Sequence, residues 1–167
     1  MPEPSPEVRE KFKRVRLLAL DSDGVLTDGG VYITDDGREF RRFDIKDGLG
    51  LKRVMRAGLD VAIISSASCE AVRVRAARLG IENVFLGVED KLICLQQLCV
   101  RLDLTLEQVA YMGDDLPDLM VSQAVGLFIA PANAITENCM AAGYTTRAIG
   151  GYGAVREVCE RILLHQL

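Results

Sequence analysis

Two carboxylates, Asp21 and Asp23, stand two residues apart where the apolar run Val15 to Leu20 gives way to a turn holding Gly24 and Gly29. The period-2 alternation of a strand directs both to one side. At the end of a buried strand each ionised carboxylate must be solvated, paired or bound to a cation, and one divalent ion could sit against the two together. An acidic turn that merely closes a strand uses the same residue types, since Asp and Gly are ordinary turn residues. The pair alone leaves both readings open.

Two further segments end in the same way. The strand-like run Gln108 to Met112 leads into Gly113-Asp114-Asp115-Leu116-Pro117-Asp118, and Leu59 to Ile64 leads into the hydroxyl cluster Ser65-Ser66-Ala67-Ser68. Lys91 opens the helix-like stretch Asp90 to Leu102. Ligands of an open α/β sheet bind in the crevice at the carboxyl ends of its strands, so Asp21, Asp23, Ser65, Lys91, Asp114, Asp115 and Asp118 are expected to converge there. Five carboxylates facing one lysine do not stay ionised together without a divalent ion, and a metal is therefore expected.

The elements that must position these groups alternate along the chain. Helix-like stretches Asp47 to Ala57, Cys69 to Leu79, Asp90 to Leu102, Leu116 to Ala124, Ala134 to Ala141 and Ala154 to His165 interleave with short strands that include Val84 to Leu86, Leu127 to Ile129 and Tyr144 to Thr146. This alternation predicts an α/β fold with a Rossmann-like, doubly wound parallel sheet. Ala154, Val155, Val158, Ile162 and Leu163 recur at helical spacing, so the last helix should lay an apolar face on that sheet. Ser5-Pro6 suits the start of a short helix from Pro6 to Lys13. Val31 to Thr34 and Glu39 to Phe43 flank Asp35-Asp36-Gly37 and read as a β-hairpin. The expected organisation is a tail and short helix over residues 1–14 and a single domain over residues 15–167.

Four motifs in this order resemble the haloacid dehalogenase superfamily of phosphotransferases: an Asp-x-Asp pair, a Ser or Thr after the second strand, a Lys, and a late acidic pair. The stretches Asp23-Gly24-Val25-Leu26-Thr27-Asp28-Gly29, Phe43-Asp44-Ile45-Lys46-Asp47-Gly48-Leu49-Gly50, Gly113-Asp114-Asp115 and Gly150-Gly151-Tyr152-Gly153-Ala154-Val155-Arg156-Glu157 are similar to the capless branch. That branch contains the 3-deoxy-D-manno-octulosonate 8-phosphate phosphatases and the nonulosonate 9-phosphate phosphatases. The resemblance spans Val15 to the C-terminus. It implies a magnesium-dependent phosphatase acting on a sugar-acid phosphate, with Asp21 as nucleophile forming an aspartyl-phosphate and Asp23 as general acid and base. It also implies Ser65 and Lys91 on the transferring oxygens. Asp21, Asp114 and the backbone carbonyl of Asp23 are the implied Mg2+ ligands, with Asp115 and Asp118 completing the metal shell or orienting Lys91. Lys46, Asp47 and Ser66 are candidates to read substrate, and Lys46 and Asp47 could equally cap the helix that follows. The hairpin takes the place of a cap domain, and the capless relatives are homotetramers. Some CMP-sialic acid synthetases carry a related phosphatase-like domain, so a catalytically weak domain that mainly assembles tetramers is the alternative.

Other acidic sites fit less well. A receiver-type phosphoacceptor domain keeps its acid pair and its acceptor on different strands. A calcium loop needs glycine at its sixth position and Glu at its twelfth, where this chain, counted from Asp21, has Leu26 and Tyr32. The 167 residues are 49% apolar with a net charge of -4, and Lys and Arg are dispersed, so no basic stripe points to nucleic acid. The start Met1-Pro2-Glu3-Pro4-Ser5-Pro6-Glu7 has neither the basic nor the apolar part of a signal peptide, and no apolar run is long enough for a bilayer. Cys69, Cys94, Cys99, Cys139 and Cys159 include no Cys-x-x-Cys pair and read as reduced core thiols of a cytoplasmic protein. His165 is expected to be a solvated helix-end residue. Two departures bear on substrate. The second-motif hydroxyl of the family is usually followed by Gly and a long polar residue, whereas here Ser65 precedes Ser66-Ala67. The chain also stops at Leu167, where octulosonate phosphatases extend a tail over a neighbour's site.

Overall fold

The structure is a computed structural model and describes residues 4–166; the start Met1 to Glu3 and the last residue, Leu167, lie outside the described residues. Six parallel strands form the central sheet: β1 (Leu17–Leu20), β4 (Asp60–Ser65), β5 (Asn83–Leu86), β6 (Val109–Met112), β7 (Leu127–Ala130) and β8 (Tyr144–Thr145). Their order is β5-β4-β1-β6-β7-β8. The chain runs outward from β1 through β4 to β5, then returns to the other side of β1 as β6. That reversal makes the carboxyl end of β1 the switch point at which open sheets bind ligands. Leu20 stands level with Ile63 of β4 and with Met112 of β6, so Asp21, Ser65 and Asp114 all lie just past the same edge.

Alternate residues of β1 feed two cores. Leu18 and Leu20 pack with Leu51, Val54, Val72, Val155, Val158 and Ile162, from helices α2 (Ile45–Arg56), α3 (Glu70–Leu79) and α7 (Ala154–Gln166). Leu17 and Ala19 pack on the opposite face with Leu95, Leu98 and Val121, from α4 (Lys91–Leu102) and α5 (Leu116–Ser122). Each buried Leu or Ile side chain stabilises by about 1.5–3 kcal/mol, which holds β1 in place against the mutual repulsion of the acids at its end. Helix α6 (Thr136–Ala141) packs on α5. Helix α1 (Pro6–Arg14) is capped by the Ser5 hydroxyl, which accepts the Val8 N–H at 3.3 Å, and it buries Phe12 in the first core.

The hairpin is present and shorter than the apolar pattern predicts, with β2 (Tyr32–Ile33) paired antiparallel to β3 (Glu39–Phe40) as a separate two-stranded sheet. Val31, Tyr32, Ile33 and Phe40 are about half exposed or more, so the hairpin buries little of its apolar surface within one chain. All five cysteines are free thiols, with Cys69, Cys99 and Cys159 buried and Cys94 and Cys139 half-buried. His165 departs from the expected solvated helix end. It is half-buried and stacks on the Phe12 ring with centroids 5.8 Å apart, because α1 lies against α7 and covers this turn. Among the described residues no helix is long and apolar enough to cross a membrane.

Candidate active site

A crevice of about 290 Å³ at the carboxyl ends of β1, β4 and β6 is lined by Asp21, Asp23, Ser65, Ser66, Lys91, Asp114 and Asp115 among others. At its floor the buried Lys91 ammonium lies 2.7 Å from Asp21 Oδ2 and 2.7 Å from Asp118 Oδ1. Asp21 Oδ1 accepts the Ser22 N–H at 2.6 Å. Burial works against the Lys91 charge, yet Asp21 and Asp118 offset it and hold the ammonium above its usual range. Burial and the Asp118 charge push the Asp21 carboxyl up to about 6 in spite of Lys91.

Asp118 is fully buried and its two oxygens are spent. Oδ1 takes Lys91 and the Tyr111 hydroxyl at 2.8 Å, while Oδ2 accepts the Asp114 N–H at 3.0 Å and the Asp115 N–H at 3.3 Å. It therefore serves the lysine and the acidic loop. Asp115 lines the crevice, but its carboxylate accepts the Leu116 N–H at 2.7 Å and caps α5, which supplies a structural reason for an acid at this position.

Asp114 is different. Its Oδ1 is buried with no hydrogen-bond donor among the described residues, and burial followed by the charges of Asp21, Asp118 and Asp115 raises its carboxyl to about 7. An orphaned acceptor among like charges is where a divalent ion fits. Asp21, Asp114 and Asp118 each offer an oxygen within 4.8 Å of the others, and with Asp118 committed to its donors Asp21 and Asp114 remain for the ion. Gly24 permits this approach, since a Cβ there would lie 1.9 Å from Asp114 Oδ2 and its φ is +80°. The closing glycine-rich segment braces the same turn: a Cβ on Gly150 would meet the Gly24 carbonyl oxygen at 1.7 Å, and the Gly151 N–H donates to Val25 O at 3.0 Å.

Ser65 is buried at the end of β4, its Oγ accepting the Ala67 N–H at 3.3 Å, and Ser66 is exposed at the rim. Lys46 and Asp47 are not brought to the crevice within one chain. Lys46 is exposed on the first turn of α2, where Asp44 rather than either of them is the cap. Asp47 is buried and turned to α7, accepting the Arg156 N–H at 2.7 Å and the Gly153 N–H at 3.4 Å. Burial raises its carboxyl to about 6 although these two bonds oppose the shift. A free helix start needs an acceptor, and the neighbouring helix supplies it.

Sequence reasoning passed over three groups. Tyr111 places its hydroxyl on Asp118; the signal was a phenol inside an apolar strand, which needs a partner when buried. Thr27, fully buried, accepts the Gly24 and Gly29 N–H groups on its hydroxyl at 3.3 and 3.2 Å and so shapes the turn. Arg41 reaches from the hairpin to Asp23, with Nε 3.0 Å from Oδ1.

No family model matches the chain. The 3-deoxy-D-manno-octulosonate 8-phosphate phosphatase KdsC of Salmonella typhimurium is 43% identical over 162 residues, which cover 97% of this chain and 86% of that protein. A Legionella pneumophila structure described as a hydrolase of the HAD superfamily, subfamily III A, superposes with a TM-score of 0.94 at 44% identity, covering 96% of this chain and 88% of the other. The 3-deoxy-D-manno-octulosonate 8-phosphate phosphatase of Moraxella catarrhalis, solved with magnesium ion, phosphate ion and KDO, gives a TM-score of 0.95 at 40% identity, covering 97% and 93%. With these likenesses running nearly end to end, the chain belongs to the 3-deoxy-D-manno-octulosonate 8-phosphate phosphatase family of the haloacid dehalogenase superfamily and is a phosphoric monoester hydrolase.

Proposed function

We propose that the protein hydrolyses 3-deoxy-D-manno-octulosonate 8-phosphate, with Mg2+ held by Asp21, Asp114 and the backbone carbonyl of Asp23. The observation that carries this reading is the arrangement on the crevice floor: Asp21 paired with the buried Lys91 at 2.7 Å, beside an Asp114 oxygen that has no donor among the described residues. Magnesium, when bound, masks the charge of the nucleophile from the phosphate and polarises a phosphoryl oxygen.

The protein's own groups carry the remaining steps. Asp21 attacks phosphorus, the phosphorus–oxygen bond to the sugar breaks, and its electron pair leaves on the sugar oxygen. Asp23, two residues on and at the crevice wall, gives that oxygen its proton and then takes one from the water that attacks the aspartyl-phosphate. The bond from phosphorus to Asp21 breaks, releasing inorganic phosphate and restoring the carboxylate. Lys91 faces the charge that gathers on the transferring oxygens, and the Ser65 hydroxyl, whose oxygen already accepts Ala67 N–H, keeps its proton for one of them. Asp118, which also accepts the Tyr111 hydroxyl, holds Lys91, and Asp115 caps α5.

Relatives named as octulosonate phosphatases favour that substrate over nonulosonate 9-phosphates, and the intact set of acidic groups gives no support to the weak, purely structural alternative. The exposed apolar hairpin supports a homotetramer in which it pairs between subunits, and five free thiols fit a reducing, cytoplasmic compartment. A screen with magnesium over octulosonate 8-phosphate, nonulosonate 9-phosphates and simple phosphate esters tests the substrate. Preference for octulosonate 8-phosphate is expected, and turnover of the other esters alone would refute it. Light scattering at micromolar concentration should find a tetramer, and a monomer would contradict it.

A further inference from the structure

Arg41 stands out among charged side chains that the chemistry above does not use. It lies just past β3 on the returning limb of the hairpin, with its side chain only 5% exposed. Its Nε donates to Asp23 Oδ1 at 3.0 Å, its Nη2 lies 3.1 Å from Glu39 Oε2, and its Nη1 donates to the Phe40 carbonyl at 3.3 Å. The other contact to Asp23, from the Thr27 hydroxyl, also falls on Oδ1 and is long at 3.5 Å. Asp23 Oδ2 has no partner among the described residues, while the residue lines the crevice. The planar guanidinium therefore restrains the carboxylate through Oδ1 and leaves Oδ2 as the oxygen free of these contacts. Glu39 pairs with Nη2 of the same guanidinium, so Arg41 is charge-balanced in place and is not a vacant receptor for a substrate anion. The next residue, Arg42, fastens the same limb to the body of the fold: its Nη1 donates to the Gly151 carbonyl at 2.6 Å and its guanidinium lies 4.0 Å from the centre of the Tyr152 ring.

We propose that Arg41 is a positioning residue that holds Asp23 with Oδ2 presented to the leaving-group oxygen, making correct seating of the hairpin a condition for proton transfer. The inference rests on the reading of Asp23 as general acid. Correct placement of such a group is what makes its contribution of about 10²–10⁴-fold available. Among the described residues, removing the guanidinium leaves the long Thr27 contact alone to restrain the carboxylate.

The test compares a substrate whose alkoxide needs a proton with one whose leaving group does not. The kcat/KM values for octulosonate 8-phosphate and for 4-nitrophenyl phosphate are measured with magnesium for wild type, Arg41→Met, Arg41→Lys, Asp23→Asn and Asp23→Asn/Arg41→Met. Light scattering and melting curves confirm that each variant keeps its assembly and fold. Arg41→Met should lower the octulosonate value about 10- to 100-fold and the aryl value less than about threefold, with Arg41→Lys in between. In the double variant, losing Arg41 should cost almost nothing more. Equal losses on both substrates in Arg41→Met, or in Arg41→Lys should the former fail to fold, overturn the proposal. A further large loss in the double variant does so too. If Asp23→Asn separates the two substrates and Arg41→Met does not, only the role of Arg41 falls. If Asp23→Asn itself fails to separate them, the acid assignment falls and the proposal with it.

Discussion

Removing the charge of Asp114 should stabilise the metal-free protein and abolish its response to magnesium. In the folded chain burial and three neighbouring carboxylates raise this group from 3.8 to about 7. A change of that size corresponds to about 4 kcal/mol against the ionised form, and 2–4 kcal/mol is a fair expectation for a group that keeps some contact with solvent. The unfolded chain gives up this proton near 3.8 while the folded chain holds it to about 7, so stability falls as pH rises between these values, and the loss is complete above 7. Asn has no proton to lose. With magnesium chelated, Asp114→Asn should match the wild type near pH 4 and exceed it by about 2–4 kcal/mol at pH 8, or about 5–10 °C in Tm. Magnesium at about a hundred times its Kd should then add about 2.7 kcal/mol to the wild type and little to the variant, reversing their order. Melting curves at several pH values, with chelator and with magnesium, provide the assay. A variant less stable than wild type at pH 8 in chelator, or one equally stabilised by magnesium, would refute the electrostatic account of this site.

Three further outcomes follow from the contacts around the crevice. Tyr111→Phe removes one of four donors from Asp118 and should lower kcat/KM about tenfold through a loosened Lys91, as expected for a hydrogen bond to a charged group; unchanged kinetics would detach Tyr111 from the site. Ala67→Arg should raise the ratio of kcat/KM for octulosonate 8-phosphate over an aryl phosphate, because Ala67 lines the crevice and a methyl group leaves no polar partner unpaired when the wrong substrate binds. A wild type already highly selective would show that other residues read the sugar acid. Asp47→Ala should lower Tm by uncapping α7 yet keep KM for octulosonate 8-phosphate within about twofold, and a large rise in KM would return Asp47 to the substrate site.

The strand-helix alternation was legible because β1, β4, β5, β6 and β7 are short apolar runs closed by Asp, Ser, Gly or Pro, and these boundaries held to within a few residues. The convergence of Asp21, Ser65, Lys91 and Asp114 was equally legible, since sheet topology brings strand ends together wherever a chain alternates in this way. Contacts made across the fold were not. Asp47 looked like a crevice or cap residue because local spacing cannot show that the start of a helix over a hundred residues later would need its carboxylate. Asp115 and Asp118 looked equivalent, yet one caps a helix at the surface and the other is buried under Lys91, a division set by a single turn of α5. Arg41 gave no signal because a hairpin arginine is ordinarily solvated. Its role comes from the way the hairpin folds back over Asp23, fastened by Arg42.

The central claim, hydrolysis through a phosphorylated Asp21, is met most directly by a rapid-quench single turnover of octulosonate labelled at its 8-phosphate, with magnesium and excess enzyme. The predicted result is acid-stable, hydroxylamine-labile label on the peptide that carries Asp21, appearing before inorganic phosphate and absent from Asp21→Asn, which should release none. Phosphate release at an undiminished rate from Asp21→Asn would contradict the account.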